Sequence, residues 1–176
     1  RSELTNSFAS GSVEGNGGVG GLVAYFDYFS TLENSFAVGH VAGVSYGIGG
    51  LLGYSNSTTI NSHWATDTTG QLNSERESEL DNYFGSTLAE LQCPTSSDNK
   101  DDCVISNTLY AGWDSSIWNF GTSTQLPGLI INGIIYRDGD GDGLLDEDDA
   151  FPYNHAASSD DDSDGYADVW TIGCDD

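Results

Sequence analysis

Two stretches of the sequence repeat each other, NSFASGSVEGNGGVGGLVAY at residues 6–25 and NSFAVGHVAGVSYGIGGLLGY at residues 34–54. A third copy begins as NSHWATDTTGQ at residues 61–71. The copies start about 28 residues apart, which is too short for a folded domain. A period of this length is typical of one coil in a stack, where each coil contacts only its neighbours.

Apolar residues recur at matching offsets in these copies. The pairs 28 residues apart are Leu4 and Leu32, Phe8 and Phe36, and Val13 and Val41. After one inserted residue, the pairs 29 apart are Val19 and Ile48, Leu22 and Leu51, and Tyr25 and Tyr54. The apolar positions partly alternate and glycines separate them, which favours strand–turn–strand coils over helices. We therefore predict an all-β fold with inward ladders of Phe, Val and Leu, and with Trp64 capping the last coil.

The repeat ends near residue 72, and residues 73–136 have a different character. Ser74 with Glu77, and Thr87 with Glu90, each fit a capping box and predict one or two short helices. Residues 104–136 are typical of strands again. Trp113 and Trp118 are predicted to pack against the end of the stack, with a ligand-stacking platform as the alternative.

The segments GGLVAY, GGLLGY, NSFA and NSHW...TTGQ resemble the GLUG repeat family of bacterial surface proteins. AELQCPT, LYAGWDSSIWNFGTS and LPGLIING resemble the segment that commonly ends such arrays. The resemblance covers residues 1–136. It implies a short right-handed β-solenoid at residues 1–72 and a capping region at residues 73–136. It also implies an extracellular location in adhesin-like or multidomain secreted proteins, and no catalytic residue.

Carboxylates and glycine at residues 138–149 follow the spacing of a calcium loop. Carboxylates fall at positions 1, 3, 5, 9 and 12 of twelve, with Gly143 at position 6, where a sharp turn is needed. Ca²⁺ takes six to eight oxygens, and this spacing wraps them around one point. The predicted ligands are Asp138, Asp140, Asp142, the Leu144 carbonyl, Asp146 and Asp149. The alternative is a solvated acidic run.

A second loop begins 22 residues later, at Asp160. Its predicted ligands are Asp160, Asp162, Asp164, the Tyr166 carbonyl and Asp168. Thr171 at position 12 departs from the pattern, and Asp175 or a carboxylate of the first loop is the candidate substitute. No amphipathic helix flanks either loop, so the pattern indicates a structural calcium site and not a sensor.

Residues 137–176 resemble the thrombospondin type 3 repeat, a calcium-binding tail module. The segment DAFPYNHAASSDDDSDGYADVW fits the spacing of that repeat between two acidic loops. The resemblance makes residues 137–176 a third unit, a calcium-binding loop tail that follows the coils and their cap.

Three cysteines occur in the chain. Cys93 and Cys103 bracket a short polar loop, which predicts a disulfide bond, with two free thiols as the alternative. Cys174 is left over, and its partner is expected beyond the end of the sequence. His40, His63 and His155 share no spacing with cysteine or with a second histidine, which disfavours a zinc site or a catalytic triad.

The net charge of −24 makes nucleic acid and anionic membrane surfaces poor partners. Of the 28 acidic residues, 14 lie in residues 138–176 with no Lys or Arg, which favours local cation binding over general acidity. No run of 18 apolar residues exists, so no membrane span is predicted.

Two classes of function remain open. The first is a non-catalytic, calcium-stabilised module of a secreted or cell-surface bacterial protein, not an enzyme, with a cell-surface glycan or protein as candidate ligand and flanking domains of a larger protein as partners. The second is an ancillary carbohydrate-binding or spacer part of a secreted hydrolase. Glycan binding predicts an exposed strip of Tyr25, Tyr28 and Tyr54, whereas ladder packing would bury these rings.

Overall fold

The computed structural model describes residues 2–74, 85–92, 109–122 and 124–170. Strands dominate these residues, and both helices have only four residues. This confirms the predicted all-β class. The strands are β1 (Glu3–Thr5), β2 (Phe8–Ala9), β3 (Val13–Gly15), β4 (Val19–Gly20), β5 (Val23–Phe26), β6 (Thr31–Glu33), β7 (Phe36–Ala37), β8 (Val41–Gly43), β9 (Ile48–Gly49), β10 (Leu52–Ser55), β11 (Thr58–Ile60), β12 (His63–Trp64), β13 (Trp118–Asn119), β14 (Gly128–Ile131), β15 (Ile134–Tyr136), β16 (Ala157–Ser159) and β17 (Val169–Trp170). The helices are α1 (Thr66–Thr69) and α2 (Leu88–Leu91).

The first twelve strands pair in parallel with their counterparts in the next copy of the repeat. The sheets are β1–β6–β11, β2–β7–β12, β3–β8, β4–β9 and β5–β10. Leu4 pairs with Leu32 and Phe8 with Phe36, as the 28-residue offset predicted. Tyr25 pairs with Tyr54, as the 29-residue offset predicted. The predicted register is therefore confirmed for these pairs.

The Asn-Ser pair that opens each copy has a structural role. Asn6, Asn34 and Asn61 all have left-handed backbones, with φ of 51°, 49° and 45°. Asn tolerates this region better than most residues because its short polar side chain can bond locally. The serine that follows hydrogen-bonds the next coil: the Ser7 amide donates to the Ser35 hydroxyl, and the Ser35 amide to the Ser62 hydroxyl, each at 3.1 Å. The motif thus turns the chain and joins the coils.

The interior of the coils holds three leucines, one phenylalanine, one alanine and one tryptophan. The buried members of this inner cluster are Phe26, Leu32, Ala37, Leu51, Leu52 and Trp64. Trp64 stands where the preceding coil has Ala37, and a Cβ on Gly50 would lie 2.1 Å from its ring. The indole is fully buried and donates a hydrogen bond to the Gln71 carbonyl at 2.9 Å. Trp64 therefore closes the interior at the third copy.

The predicted inward Phe ladder is wrong. Phe36 belongs to a second, outer cluster, because neighbouring residues of a strand point to opposite faces and Ala37 occupies the inner one. The buried members of the outer cluster are Phe36, Val38, Ala65, Leu91, Tyr110, Trp113, Trp118 and Leu126. The coils therefore have a second apolar face, which the segment after residue 84 covers.

Trp113 and Trp118 lie along the flank of the coils and not at their end. Trp118 donates to the Asn6 side chain in the first copy at 3.1 Å, and Trp113 donates to the Asn61 carbonyl in the third at 3.0 Å. Both indoles are almost fully buried, which argues against the alternative of a ligand-stacking platform. Both indoles pack against Phe36, whose ring stacks on Phe8 of the first copy.

The capping segment differs from the prediction in part. Thr87 and Glu90 form the predicted capping box at α2, with both reciprocal hydrogen bonds present. The predicted box at Ser74 requires Glu77, which lies outside the described residues, as do Cys93, Cys103 and Cys174. Of residues 104–136, the structure describes 109–122 and 124–136, and the strands in these described residues are β13, β14 and β15. Asn132 and Gly133 have φ of 54° and 82°, and they turn β14 back onto β15.

Candidate metal centre

The first acidic loop begins directly after β15 and is held by the capping segment. The Gly139 carbonyl accepts the Leu126 amide at 2.8 Å and the Gln92 side-chain amide at 3.1 Å. The Asp146 amide donates to the Arg137 carbonyl at 2.8 Å, which closes the far side of the loop. The β14–β15 hairpin and α2 therefore position the loop against the outer cluster.

Three predicted ligands converge in this loop. The carboxylates of Asp138, Asp140 and Asp142 each offer an oxygen within 4.8 Å of the other two. Two oxygens on opposite sides of a calcium ion are about 4.6–5.2 Å apart, twice the usual bond length. The three oxygens are therefore close enough to one another to contact one ion.

Backbone amides orient the Asp138 carboxylate. Its two oxygens accept the Gly141 and Gly143 amides at 2.7 and 2.8 Å. Gly143 has φ of 105°, a conformation that glycine adopts freely, and this confirms the sharp turn predicted at position 6.

Two carboxylate oxygens in the loop are buried without a hydrogen-bond partner. Oδ2 of Asp140 and Oδ2 of Asp142 are inaccessible to solvent, and within the part of the chain that the structure describes neither is bonded. Asp140 as a whole is 2% exposed. An unpaired buried anionic oxygen is costly unless a cation neutralises it. These two atoms fit the ligand set of a cation.

Burial raises the pKa of the carboxyl groups in this loop, and neighbouring charges add to the effect. Burial, followed by the charges of Asp142 and Asp138, raises the pKa of Asp140 to about 7. Burial also raises the pKa values of Asp138, Asp142, Asp146 and Asp149. Like charges held together out of water disfavour ionisation, and a divalent cation would reverse this effect.

Asp146 and Asp149 lie beside the three converging carboxylates but are not grouped with them. Oδ1 of Asp146 accepts the Gly139 amide at 2.6 Å, and Oδ1 of Asp149 accepts the Phe151 amide at 2.8 Å. Each carboxylate has a second oxygen for a ligand. The Leu144 side chain has no oxygen and is 39% exposed, and its main-chain carbonyl is the predicted ligand.

The first loop also packs on the coils, which sequence reasoning missed. The Ser10 side chain lies near the Asp138 carboxylate and lowers its pKa, against the larger effect of burial, which raises it. A Cβ on Gly143 would lie 3.6 Å from Gly11 Cα, and one on Gly141 would lie 3.1 Å from a methyl of Val38. Ser10 and Gly11 carry no sequence signal for this contact, since they form an ordinary polar turn between two strands of the repeat.

The second acidic loop repeats the local geometry of the first. The Asp160 carboxylate accepts the Asp164 amide at 3.0 Å and the Gly165 amide at 2.9 Å. Asp164 accepts the Tyr166 amide at 2.9 Å, as Asp142 accepts the Leu144 amide in the first loop. The same sequence spacing therefore produces the same turn 22 residues apart.

The second loop differs from the first in exposure and in its converging residues. Carboxylate oxygens of Asp160, Asp162 and Asp168 lie within 4.8 Å of one another, whereas Asp164 is outside this group. Asp162 and Asp168 are exposed, and Tyr166 is 78% exposed. Position 12, Thr171, lies outside the described residues, as does Asp175. Water can solvate this second group of carboxylates, unlike the first.

The donor atoms of the first loop determine which kind of cation it can bind. Carboxylate and carbonyl oxygens alone are the ligands of hard cations such as Ca²⁺ and Mg²⁺, whereas zinc and copper sites usually include nitrogen or sulfur. His155 approaches the loop, but its Nδ1 hydrogen-bonds the Asp140 main-chain carbonyl at 3.1 Å. The arrangement can therefore hold a hard cation and fix the backbone around it.

No family model matches this chain. No solved structure matches it either. A curated protein of Evansella cellulosilytica, named "Putative Gly-rich membrane protein", is 32% identical over 134 residues. The match covers 71% of this chain and 13% of that relative, so the chain spans a small part of the relative's length.

The comparison corrects the predicted location. The relative is named as a membrane protein, which contradicts the prediction of a secreted or cell-surface, extracellular chain. That prediction is wrong on this finding. In the described parts of the chain, neither helix has the length and apolar character that crossing a membrane requires.

Proposed function

We propose that this chain is a non-catalytic, calcium-binding and calcium-stabilised module of a larger, membrane-associated protein. The observation that carries the proposal is the first acidic loop, where Asp138, Asp140 and Asp142 converge and two buried oxygens have no bonded partner. Membrane association rests on the name of the Evansella relative. The flanking parts of that larger protein are the proposed partners.

We propose further that residues 1–72 are coils of a GLUG-type β-solenoid. The parallel pairing of each strand with its counterpart one repeat later supports this architecture. Residues 73–136 serve as its cap and flank cover, because their tryptophans hydrogen-bond the first and third copies. The resemblance to GLUG repeats supplies the right-handed sense of the coils.

Residues 137–176 are proposed to be a thrombospondin type 3-like calcium unit. Two loops 22 residues apart share the same pattern of backbone amides donating to aspartates, which supports a repeated calcium module. The unit docks on the coils through Ser10 and Gly11. Calcium at the first loop would therefore join the tail, the cap and the first two coils.

Calcium is proposed to act as a structural ion and not as a signal. A sensor loop moves a helix on each side of it, whereas here β15 precedes the first loop and β16 lies between the two loops. The longest helices in residues 2–74, 85–92, 109–122 and 124–170 have four residues. Binding would neutralise the carboxylates and hold a surface that is already assembled.

Calcium titration by isothermal calorimetry tests the proposal, with magnesium as the competing cation. Asp140→Asn should abolish the tighter binding event, because it removes one charge from the buried group. Asp148→Asn is the matched control, since Asp148 lies in the same loop, is exposed and is not a predicted ligand. The absence of any calcium heat, or equal loss in both variants, would show that the loop is only an acidic surface.

A further inference from the structure

An open groove of about 830 Å³ lies on the coils, at the turns that precede β4 and β9. Its lining includes Tyr25, Tyr46, Tyr54 and Val44, together with two glycines of the first copy, Gly17 and Gly18. The groove shares no residue with the acidic loops. It therefore calls for an explanation separate from cation binding.

The inserted residue of the second copy builds one part of the groove. Three residues join β3 to β4 in the first copy, whereas four residues, 44–47, join β8 to β9 in the second. The Gly18 amide donates to the Tyr46 carbonyl at 3.0 Å, and a Cβ on Gly17 would lie 3.1 Å from the same oxygen. Glycine at 17 thus lets the longer turn approach the shorter one.

The longer turn presents apolar side chains to water. Val44 is 83% exposed and Tyr46 is 68% exposed. Neither side chain belongs to the inner or the outer cluster. Exposed apolar residues that line a concave surface together are typical of a binding site.

Two stacked tyrosines provide a pre-ordered aromatic surface in the same groove. The rings of Tyr25 and Tyr54 lie 5.6 Å apart at an angle of 1°, and Tyr25 remains 61% exposed. Ladder packing and exposure, which the sequence presented as alternatives, therefore occur together. Because each ring restrains the other, little conformational freedom remains to be lost when a ligand binds.

The chemistry of the lining suits an uncharged partner, and the charge of the chain disfavours an anionic one. The other lining residues are Asn16 and Ser45, so polar groups are present but no charged side chain is. The net charge of −24 repels nucleic acid, acidic glycans and acidic peptides. Sugar rings offer apolar C–H faces to aromatic rings and hydroxyl groups to amides and hydroxyls, which matches this combination.

We propose that the groove binds a neutral glycan chain, with Tyr46, Tyr25 and Tyr54 as the contact surface. Tyr28, which sequence reasoning grouped with Tyr25 and Tyr54, is 60% exposed but does not line the groove. The third tyrosine of the groove is Tyr46. This function goes beyond calcium binding and does not depend on it.

Native affinity electrophoresis with neutral glucan, xylan and mannan in the gel tests the proposal, followed by calorimetry with a hexasaccharide of the retarding polymer. Tyr46→Ala should weaken binding about tenfold or more, the effect expected of an aromatic anchor. Tyr54→Ala should act in the same direction. Tyr28→Ala is the matched control, an exposed tyrosine outside the groove, and should bind as the parent does.

Each contrary result overturns the proposal. Retardation by none of the three neutral polymers would do so, as would equal binding by the Tyr46→Ala and Tyr28→Ala variants. Self-association in sedimentation that Tyr46→Ala abolishes would identify a second copy as the occupant instead. Titrations repeated in chelator separate this test from the calcium proposal, because the groove contains no predicted calcium ligand.

Discussion

The indole nitrogen of Trp118 donates a hydrogen bond to Oδ1 of Asn6, 3.1 Å away in space and 112 residues earlier in the chain. Asn6 is the left-handed residue that opens the first copy of the repeat. The Trp118 ring also lies 5.9 Å from the ring of Phe36 in the second copy. One side chain of the capping segment thus contacts two copies of the repeat and belongs to the outer cluster.

Phe36→Ala should destabilise the protein by about 3–5 kcal/mol, the usual cost of truncating a buried aromatic residue. Phe36 is 1% exposed and packs against Phe8, Trp113 and Trp118. Chemical denaturation followed by tryptophan fluorescence measures the loss. Phe29→Ala is the control, because Phe29 is 82% exposed. A similar midpoint for both variants would contradict the outer cluster.

Gly50→Ala should destabilise the coils by about 1–3 kcal/mol or more through overpacking. The new Cβ would lie 2.1 Å from the Trp64 ring, which is fully buried and held by its hydrogen bond to Gln71. Gly11→Ala is the matched control, since no atom lies within 4 Å of a Cβ there. Thermal melts of the two variants measure the loss of stability. An unchanged melting temperature for Gly50→Ala would argue against Trp64 as the residue that closes the interior.

Calcium removal should loosen the turn at Ser10 and Gly11 as well as the acidic loops. The Asp138 carboxylate lies near the Ser10 side chain, and without a counter-ion the carboxylates of the first loop repel one another. Hydrogen exchange with and without chelator measures the protection of this turn. The turn of the second copy at residues 45–47, whose Tyr46 carbonyl accepts the Gly18 amide of the first copy, serves as the internal reference. Equal protection at Ser10 in both conditions would show that the loop and the coils are independent.

The two calcium loops should contribute unequally to stability. Asp140 is 2% exposed, whereas Asp162 is exposed, so water can replace a cation far better at the second loop. We therefore expect Asp140→Asn to lower the melting temperature in calcium more than Asp162→Asn does, since a ligand stabilises the state that binds it. Calorimetric melts in calcium measure both shifts. A larger effect of Asp162→Asn would reverse the assignment of the structural site.

The calcium-free protein should become less stable as the pH rises from 5 to 8. Burial and neighbouring charges raise the pKa of Asp140 to about 7, above the ordinary value of 3.8 that applies when the chain is unfolded. The folded state therefore binds more protons than the unfolded state between these values, and its stability falls as they are released. Melting temperatures in chelator measure this slope.

Asp140→Asn should flatten that slope, because the substituted side chain does not titrate. Saturating calcium should also oppose the slope, since the cation binds the ionised carboxylates and competes with protons. A calcium-free melting temperature that increases with pH would contradict the burial of Asp140.

The sequence by itself determined the stacking of the coils and the local shape of the acidic loops. The offset of 28 between Leu4 and Leu32, and of 29 between Tyr25 and Tyr54, predicts which residues pair in the parallel strands. The spacing of Asp138, Gly143 and Asp160 likewise predicts where each loop turns. Both signals are local or periodic, and for that reason they can be read from the order of residues.

Only the tertiary structure decided what covers each face. Phe36 and Ala37 are adjacent, and periodicity alone does not show that the larger side chain points outward to meet Trp113 and Trp118. Nor does any pattern in the sequence place Ser10 against Asp138 or Tyr46 beside Tyr25. These contacts join segments distant in the sequence or in neighbouring coils. They depend on how the faces and turns of the folded coils meet in three dimensions, which the order of residues along one coil does not specify.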